Sequence, residues 1–137
     1  MTLHALDNWK PYLTNEDYSY LIQYIENIKN NIPNDKMIIL CGSSRTGKST
    51  LKRDIQNYLG DDNCGVFMMS GEIIYNDNIK KLGFFNGIDE LYNNKNITAI
   101  INLIKYKQSF IAETNFIKGV NYKLLKFSKI IKMEHVF

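Results

Sequence analysis

The sequence predicts an α/β fold in which helices cover both faces of a largely parallel sheet. Met37–Cys41 is a run of five apolar residues, as is typical of a strand buried on both faces. A glycine-bearing loop and a helical pattern follow it directly. Further short apolar runs then alternate with helical periodicity, which is the pattern of strands joined by crossover helices. The length of 137 residues, with 45% apolar and 23% charged residues, is that of one globular domain.

An amphipathic helix is predicted ahead of this alternating pattern. Thr14, which is followed by the acidic residues Glu16 and Asp17, is a typical helix start. Apolar residues then recur at helical spacing until Pro33. The residues before Thr14 are predicted to be an irregular entry segment. We therefore expect a single domain made of a helical lead-in at 1–35 and a core at 36–137.

The core elements can be placed from apolar runs and from turn residues. A glycine and three polar residues, Gly60–Asn63, are expected to stop the helix that follows the first strand, so the Asp61-Asp62 pair is interpreted as a helix terminator. In chain order, the predicted elements are a strand at 37–41, a helix to about Leu59, a strand at 66–69, an ambiguous segment at 73–82, a strand at 84–88, a helix around 97–104, and strands at 110–112 and 130–133.

Charge and cysteine content limit the classes of function. The net charge is +3, but the stretch from Lys95 to the end has eight lysines and two acidic residues. This asymmetry predicts either an anionic partner or a solvated lysine-rich face. Two cysteines fit a reducing compartment, so a cytoplasmic location is expected. No apolar run reaches the length of a membrane helix, and a membrane partner is not expected.

The strongest functional signal is the segment Gly42–Thr50, with the sequence GSSRTGKST. It fits the phosphate-binding pattern G-x-x-x-x-G-K-S/T at every position, between a predicted strand and a predicted helix. Gly42 permits a sharp exit from the strand, and Gly47 lets the backbone approach the phosphates. The loop's N–H groups form an anion nest at the start of a helix. This motif predicts a P-loop nucleotide-binding fold.

Each side chain of the motif has an expected role. Lys48 is expected to reach the β- and γ-phosphates of ATP as a point charge, and Ser49 to offer its hydroxyl to Mg²⁺. Arg45 either touches a phosphate or lies exposed at the loop crest, and the latter is favoured. The predicted nucleotide contacts are Gly42, Ser43, Ser44, Arg45, Thr46, Gly47, Lys48, Ser49 and Thr50.

Hydrolysis requires acidic groups as well, and Asp89-Glu90 is the preferred pair. It ends the predicted strand 84–88. Asp89 is expected to hold Mg²⁺ through water, and Glu90 to act on the attacking water. The alternative is an ordinary helix N-cap, favoured by the turn signal Asn86-Gly87 inside the supposed strand.

A third group of polar residues follows the apolar run at 110–112. Ligand groups in a parallel sheet come from the carboxyl ends of the strands. Asn115 is therefore expected beside the γ-phosphate, where it would orient water, and Thr114 or Glu113 could share this role. The alternative is a loop asparagine that makes a local turn.

These three sequence segments, in this order, resemble the ATPase core of superfamily three helicases, a viral and plasmid branch of the AAA+ ATPases. Gly42–Thr50 resembles their Walker A motif, Ile88-Asp89-Glu90 their Walker B motif, and Phe110–Asn115 their motif C, whose asparagine senses the γ-phosphate. The resemblance spans about residues 36–137 and implies ATP hydrolysis in nucleic-acid replication. It also implies a homo-oligomeric ring and, for a viral protein, the host cytoplasm.

The chain departs from that family in two ways. Only four residues, Lys105–Gln108, stand where the family builds a DNA-gripping hairpin, and lysine (Lys126 or Lys129) stands where the family often has an arginine finger. Lysine cannot make the bidentate contact of arginine. Two other functions therefore remain open. One is a small nucleoside or nucleotide kinase, and the other is a nucleotide-binding accessory protein without turnover.

Four lysines are candidates for contacts with single-stranded nucleic acid. They are Lys105, Lys107, Lys118 and Lys123, and the hypothesis requires that they face one groove. Tyr106 could stack on a base, but a core position is favoured for it.

Overall fold

The computed structural model describes residues 4–66, 69–70, 72–73, 81–85, 88 and 94–137. Within these ranges, five strands form one parallel sheet, and two short strands pair separately and antiparallel. The strands are β1 (Met37–Cys41), β2 (Cys64–Val66), β3 (Met69–Ser70), β4 (Glu72–Ile73), β5 (Leu82–Phe85), β6 (Ser109–Thr114) and β7 (Ser128–Lys132). The helices are α1 (Asn15–Lys29), α2 (Lys48–Leu59), α3 (Asn94–Lys105) and α4 (Tyr122–Leu125), with 3-10 turns at His4–Tyr12, Asp61–Asn63 and Ile117–Gly119.

The strand order of the large sheet is β2-β5-β6-β1-β7. β1 therefore has a neighbour on each side, and its last residue, Cys41, is in register with Thr114 of β6 and with Lys132 of β7. Since all three strands are parallel, the segments that follow them leave the sheet at the same edge. This edge brings the glycine-rich loop, the end of β6 and the chain after β7 together.

Helices cover both faces of the sheet, as the sequence predicts. Alternate residues of β1 point to opposite faces. Ile38 and Leu40 join a core cluster with α1 and α2, whereas Met37 and Ile39 join a second cluster with α3 and α4. All four side chains are fully buried. Burial of such a side chain stabilises the fold by about 1.5–3 kcal/mol, so the alternation on this one strand fixes both layers.

The N-terminal helix is fastened to the sheet by polar contacts. Thr14 caps α1, since its hydroxyl accepts the N–H of Asp17 at 3.1 Å. The Asp17 carboxylate in turn pairs with Lys129 of β7 at 3.1 Å. The buried Tyr24 hydroxyl lies 2.8 Å from the Lys36 carbonyl oxygen and accepts the N–H of Phe110 at 3.1 Å. Burial raises the pKa of this phenol. These contacts connect α1 to β6, to β7 and to the residue that precedes β1.

Several element boundaries differ from the sequence prediction. The entry segment predicted to be irregular contains the 3-10 turn His4–Tyr12, since Leu6 and Trp9 are buried against the core. The strand predicted at 66–69 begins at Cys64 and is β2. The strand predicted at 84–88 begins at Leu82 and is β5. Most of the ambiguous segment, residues 74–80, lies outside the described ranges.

Tyr106 is not the core residue that the sequence analysis favoured. Its side chain is 85% exposed, because it follows the end of α3 in a turn where Lys107 has a positive φ. Over the residues that the structure describes, no helix has the length and apolar character needed to cross a membrane.

Candidate nucleotide-binding site

The glycine-rich loop connects β1 to α2 at the shared edge of the sheet. Both of its glycines are needed for close packing. A Cβ on Gly42 would overlap the carbonyl oxygen of Met133, the residue after β7. Gly47 caps α2 with a φ of 86°, a conformation that L side chains rarely adopt. A Cβ on Gly47 would also lie 2.7 Å from the Trp9 ring. The loop is thus held between the chain after β7 and the N-terminal segment.

Lys48 is the first residue of α2, and its ammonium group turns back towards the loop. Its Nζ donates to the carbonyl oxygens of Gly42 at 2.6 Å and Ser43 at 2.7 Å. The residue is only 8% exposed. Burial lowers the pKa of Lys48 from its usual value, and the negative charge of Glu113 opposes this effect. A desolvated cation at the start of a helix and beside a glycine-rich loop favours an anionic ligand such as phosphate.

A carboxylate from β6 faces the start of the same helix. The Ser49 hydroxyl lies 3.4 Å from Oε2 of Glu113, and the Lys52 ammonium pairs with the same oxygen at 3.1 Å. Lys52 lies one helical turn after Lys48, so both cations are on the side of α2 that faces β6. Both members of the Lys52–Glu113 pair are largely buried. The ion pair holds the carboxylate beside the hydroxyl that the motif assigns to Mg²⁺.

A cavity of about 340 Å³ lies beside Lys48, Ser49 and Glu113. Asn115 lies one residue beyond the end of β6 and lines this cavity, and its place beside the γ-phosphate stays a prediction. Arg45 lines it as well, with an exposed side chain at a positive φ of 66°, in agreement with the favoured crest position. The full lining is Ser44, Arg45, Gly47, Lys48, Ser49, Thr50, Glu113 and Asn115.

The predicted acidic pair is not among the residues that can be compared with this cavity. Asp89 and Glu90 lie outside the described residues, and only the preceding Ile88, which is buried, is described. The predicted roles of both acids therefore stay predictions. Sequence reasoning gave Glu113 only a share of the role of Asn115. The signal that could have singled it out is its place at the end of an apolar run that pairs directly with β1.

The four candidate lysines do not share one groove. Lys105 and Lys107 precede the amino end of β6, where Lys107 lies 3.4 Å from Asp35, whereas Lys118 follows its carboxyl end. A strand of six residues is about 20 Å long, so these positions lie at opposite edges of the sheet. Lys123 belongs to α4, which packs against α3. The single-groove hypothesis is therefore wrong.

Of the two lysines, Lys126 and Lys129, that stand near the arginine-finger position in the sequence, Lys129 forms an ion pair within the fold. Lys129 lies near the amino end of β7 and bonds to Asp17 of α1. Hydrogen bonding to that carboxylate raises the pKa of Lys129. The charge of Lys129 is therefore paired with Asp17 at the amino ends of the strands, whereas the glycine-rich loop lies at their carboxyl ends.

Comparisons with known proteins concern the core that contains the glycine-rich loop and its fold. A family model described as chromatin associated protein KTI12 matches residues 36–137. No curated protein matches the sequence.

Three solved structures illustrate the fold. The Thermotoga maritima RuvB Holliday junction branch migration motor is similar over 90% of this chain, with a TM-score of 0.58 and 18% identity. PCH-2 of C. elegans is similar over 98%, with a TM-score of 0.62 and 11% identity. The replication initiator DnaA, bound to AMPPCP and single-stranded DNA, is similar over 90%, with a TM-score of 0.60 and 16% identity.

In each case the chain spans about half the length of the solved structure, at 46%, 47% and 47%. At these identities the likeness concerns the fold. The chain has the fold of the P-loop AAA+ ATPases, and the comparisons do not single out the superfamily three helicases among them.

Proposed function

Because the chain belongs to the KTI12 family and carries a complete phosphate-binding loop, we propose that it binds ATP with Mg²⁺ and hydrolyses it. One observation carries the proposal, namely that the Ser49 hydroxyl and the Glu113 carboxylate meet at 3.4 Å beside Lys48. A P-loop hydroxyl and one carboxylate, completed by phosphate oxygens and water, are the ligands that Mg²⁺ takes in such sites.

The residues present fit the metal and the nucleotide. Ser49 and Glu113 both offer oxygen, and a hard cation such as Mg²⁺ prefers oxygen ligands. When bound, the ion would neutralise charge on the phosphates. Lys48 would contribute a second positive charge, and the loop N–H groups would bind the phosphate oxygens. Among the residues that the structure describes, Glu113 is the acid found beside Ser49, and it is therefore proposed for the metal-facing role that the sequence analysis assigns to Asp89.

Asn115 is proposed to orient the attacking water. It lines the same cavity as Lys48 and Glu113, and its amide can both donate and accept hydrogen bonds. An amide adds no second negative charge next to the phosphates. Glu90 remains the proposed acid for polarising that water.

A nucleic-acid partner is part of the proposal at a coarser level. Support comes from the DnaA structure, which contains single-stranded DNA, and from the excess of lysines after Lys95. Lys118 is the best placed of the four candidates, since it follows β6 at the edge that carries the phosphate site. Replication as the cellular process, a ring-shaped assembly and a cytoplasmic location belong to the proposal in the same way.

Titration calorimetry with ATP and GTP in the presence of Mg²⁺, followed by phosphate release on the same sample, tests the proposal. We expect ATP binding and slow turnover that rises when single-stranded DNA is added. Phosphate transfer to a nucleoside would favour the kinase alternative. Tight binding without turnover would favour the accessory protein. Absence of nucleotide binding would overturn the proposed function.

A further inference from the structure

Residues 116–126, which lead from the carboxyl end of β6 back to the amino end of β7, carry positive charge only. The chain has no acidic residue between Glu113 and Glu134. Three lysines of the segment are exposed, and within the described part of the chain none of them forms an ion pair. They are Lys118, Lys123 and Lys126. A run of uncompensated positive charge attracts a polyanion.

Two aromatic rings are exposed on the same segment. Phe116 is 59% exposed and Tyr122 is 64% exposed. The Nζ of Lys126 lies 6.0 Å from the centroid of the Tyr122 ring, so a cation and a stacking surface are adjacent. The core does not account for these rings, because Val120 and Leu124 supply the buried contacts of the segment. Proteins hold single-stranded nucleic acid with aromatic rings that stack on bases and with cations that contact phosphates.

The backbone that carries these side chains is held by its own hydrogen bonds. The N–H of Gly119 donates to the carbonyl oxygen of Phe116 at 3.1 Å. The side chain of Asn121 caps α4, since it accepts the N–H of Lys123 at 2.9 Å. Below this surface, the buried Leu124 belongs to the core cluster that includes α3. A surface that is ordered before binding loses little conformational entropy when it binds a ligand.

The segment begins at the proposed phosphate site. Asn115, which precedes Phe116, lines the cavity beside Lys48. The N–H of Phe116 donates to the hydroxyl of Thr114 at 3.0 Å, and Thr114 is in register with Cys41, the last residue before the glycine-rich loop. A base stacked on Phe116 would therefore lie next to the residue that is proposed to orient the attacking water.

We propose that residues 116–126 form a binding surface for single-stranded nucleic acid, in which bases stack on Phe116 and Tyr122 and the three lysines contact phosphates. The inference rests on the proposed function for the existence of a nucleic-acid partner, and it names the surface that binds it. Stacking and phosphate contacts read no base edges, so binding is expected without base specificity. A duplex should bind more weakly, because its bases are stacked on one another.

Fluorescence anisotropy of a labelled oligothymidylate, with the whole chain and no nucleotide, tests the surface directly. An abasic oligonucleotide of equal length is the comparison, because it keeps the phosphates and lacks the bases. The native chain should bind oligothymidylate more tightly. Tyr122→Ala should lower that affinity by about 5- to 150-fold, as the loss of one stacked base predicts, and leave the affinity for the abasic strand nearly unchanged. Tyr106→Ala is the matched control, since Tyr106 is 85% exposed and precedes the amino end of β6.

Salt dependence measures the contribution of the lysines. The logarithm of the affinity should fall linearly with the logarithm of the salt concentration, with a slope of about −0.7 for each phosphate contact on a single strand. Lys118→Ala should therefore make the slope less steep by about 0.7. Lys107→Ala is the control, since Lys107 lies beside Asp35 at the opposite edge of the sheet, and it should keep the native slope.

Equal affinity of the native chain for the two oligonucleotides, or native affinity in Tyr122→Ala, overturns the inference. Phe116→Ala is the second variant if circular dichroism shows that Tyr122→Ala does not fold, and the same selective loss is expected from it. Variants that lose self-association in light scattering but keep oligonucleotide binding would also overturn it, because the surface would then join copies of this chain.

ATP titration on the same samples separates this inference from the proposed function. ATP binding by a native chain that does not bind oligothymidylate overturns the surface and leaves the nucleotide site intact. Oligothymidylate binding that depends on Tyr122, in a chain that does not bind ATP, supports the surface and overturns the proposed function.

Discussion

The two halves of the proposed phosphate site are assembled in different ways. The loop half consists of nine consecutive residues, Gly42–Thr50, joined to a strand and a helix. The acidic half, Glu113, comes from 64 residues further along the chain and reaches Ser49 only because β6 pairs with β1. The loop half is encoded by a local sequence motif. The second depends on strand order, and strand order is a property of the whole sheet.

This difference predicts how each half fails. A change in the loop should remove phosphate binding and leave the fold in place. A substitution in the core of β6 should affect Glu113 only indirectly, because it destabilises the sheet to which Glu113 belongs. Four substitutions or measurements sharpen the contrast.

The largest expected effect comes from Ile111→Ala. Ile111 is fully buried in β6, in register with Ile38 of β1 and Phe84 of β5. Removing its side chain should lower the free energy of unfolding by about 2–5 kcal/mol, because a cavity remains in the core. Urea unfolding measures this loss. Ile32→Ala is the control, since Ile32 is 52% exposed and should change stability little. Equal stability of the two variants would contradict the placement of β6.

Lys48→Ala should affect the loop half alone. Its ammonium is the charged donor proposed to contact the phosphates, and a hydrogen bond to a charged group contributes about 1.5–3 kcal/mol. We expect ATP affinity to fall by about 10- to 150-fold, with the circular dichroism spectrum and melting temperature nearly unchanged. Arg53→Ala, an exposed cation on the same helix, should bind ATP normally. Native affinity in Lys48→Ala would refute the phosphate-site assignment.

Gly47→Ala tests whether the loop's conformation matters for binding. The residue has a φ of 86°, which costs a side chain about 1–2 kcal/mol, and a Cβ would meet Trp9. We expect a melting temperature lower by roughly 3–10 °C and weaker ATP binding. Gly60→Ala is matched, because Gly60 also has a positive φ, at 94°, but lies after α2. It should lose stability and keep its ATP affinity. Equal ATP affinity in both variants would show that the loop tolerates the change.

The smallest effect concerns the thiol of Cys64, on a strand remote from the loop. Burial raises its pKa to about 11 from a usual value of 9.0. The folded state therefore holds its proton more strongly than the unfolded state does, so stability should fall as pH rises from about 9 to 11. Iodoacetamide labelling followed by mass spectrometry should find Cys64 nearly unreactive at pH 8. Rapid labelling of Cys64 under native conditions would contradict its burial.

The sequence predicted the fold where physical signals are local. The cap at Thr14, the buried run Met37–Cys41 and the stop at Gly60 each reflect chemistry within a few residues, and each was found as predicted. The predicted starts of β2 and β5 were displaced by two residues, because strands this short show too few residues to establish a period.

The site was only half predictable for the same reason. Gly42–Thr50 forms a motif, but a single carboxylate such as Glu113 has no pattern of its own. Its role depends on the parallel pairing of β6 with β1, and on Lys52, which holds it in place. The contact between the Trp9 and Phe137 rings beside Gly47 was missed because the two residues lie far apart in the sequence.

The central claim is that Glu113 is the acid that faces the Mg²⁺ position beside Ser49. The most direct test is ATP turnover as a function of Mg²⁺ concentration for the native chain, Glu113→Gln and Asp89→Asn. The amide keeps the shape of the side chain and removes the charge that attracts the ion.

We predict that Glu113→Gln needs at least about tenfold more Mg²⁺ for half-maximal turnover, or loses turnover, while it still binds ATP without the metal. Asp89→Asn should retain the native Mg²⁺ dependence. A native Mg²⁺ dependence in Glu113→Gln, together with its loss in Asp89→Asn, would contradict the assignment and return the metal-facing role to Asp89.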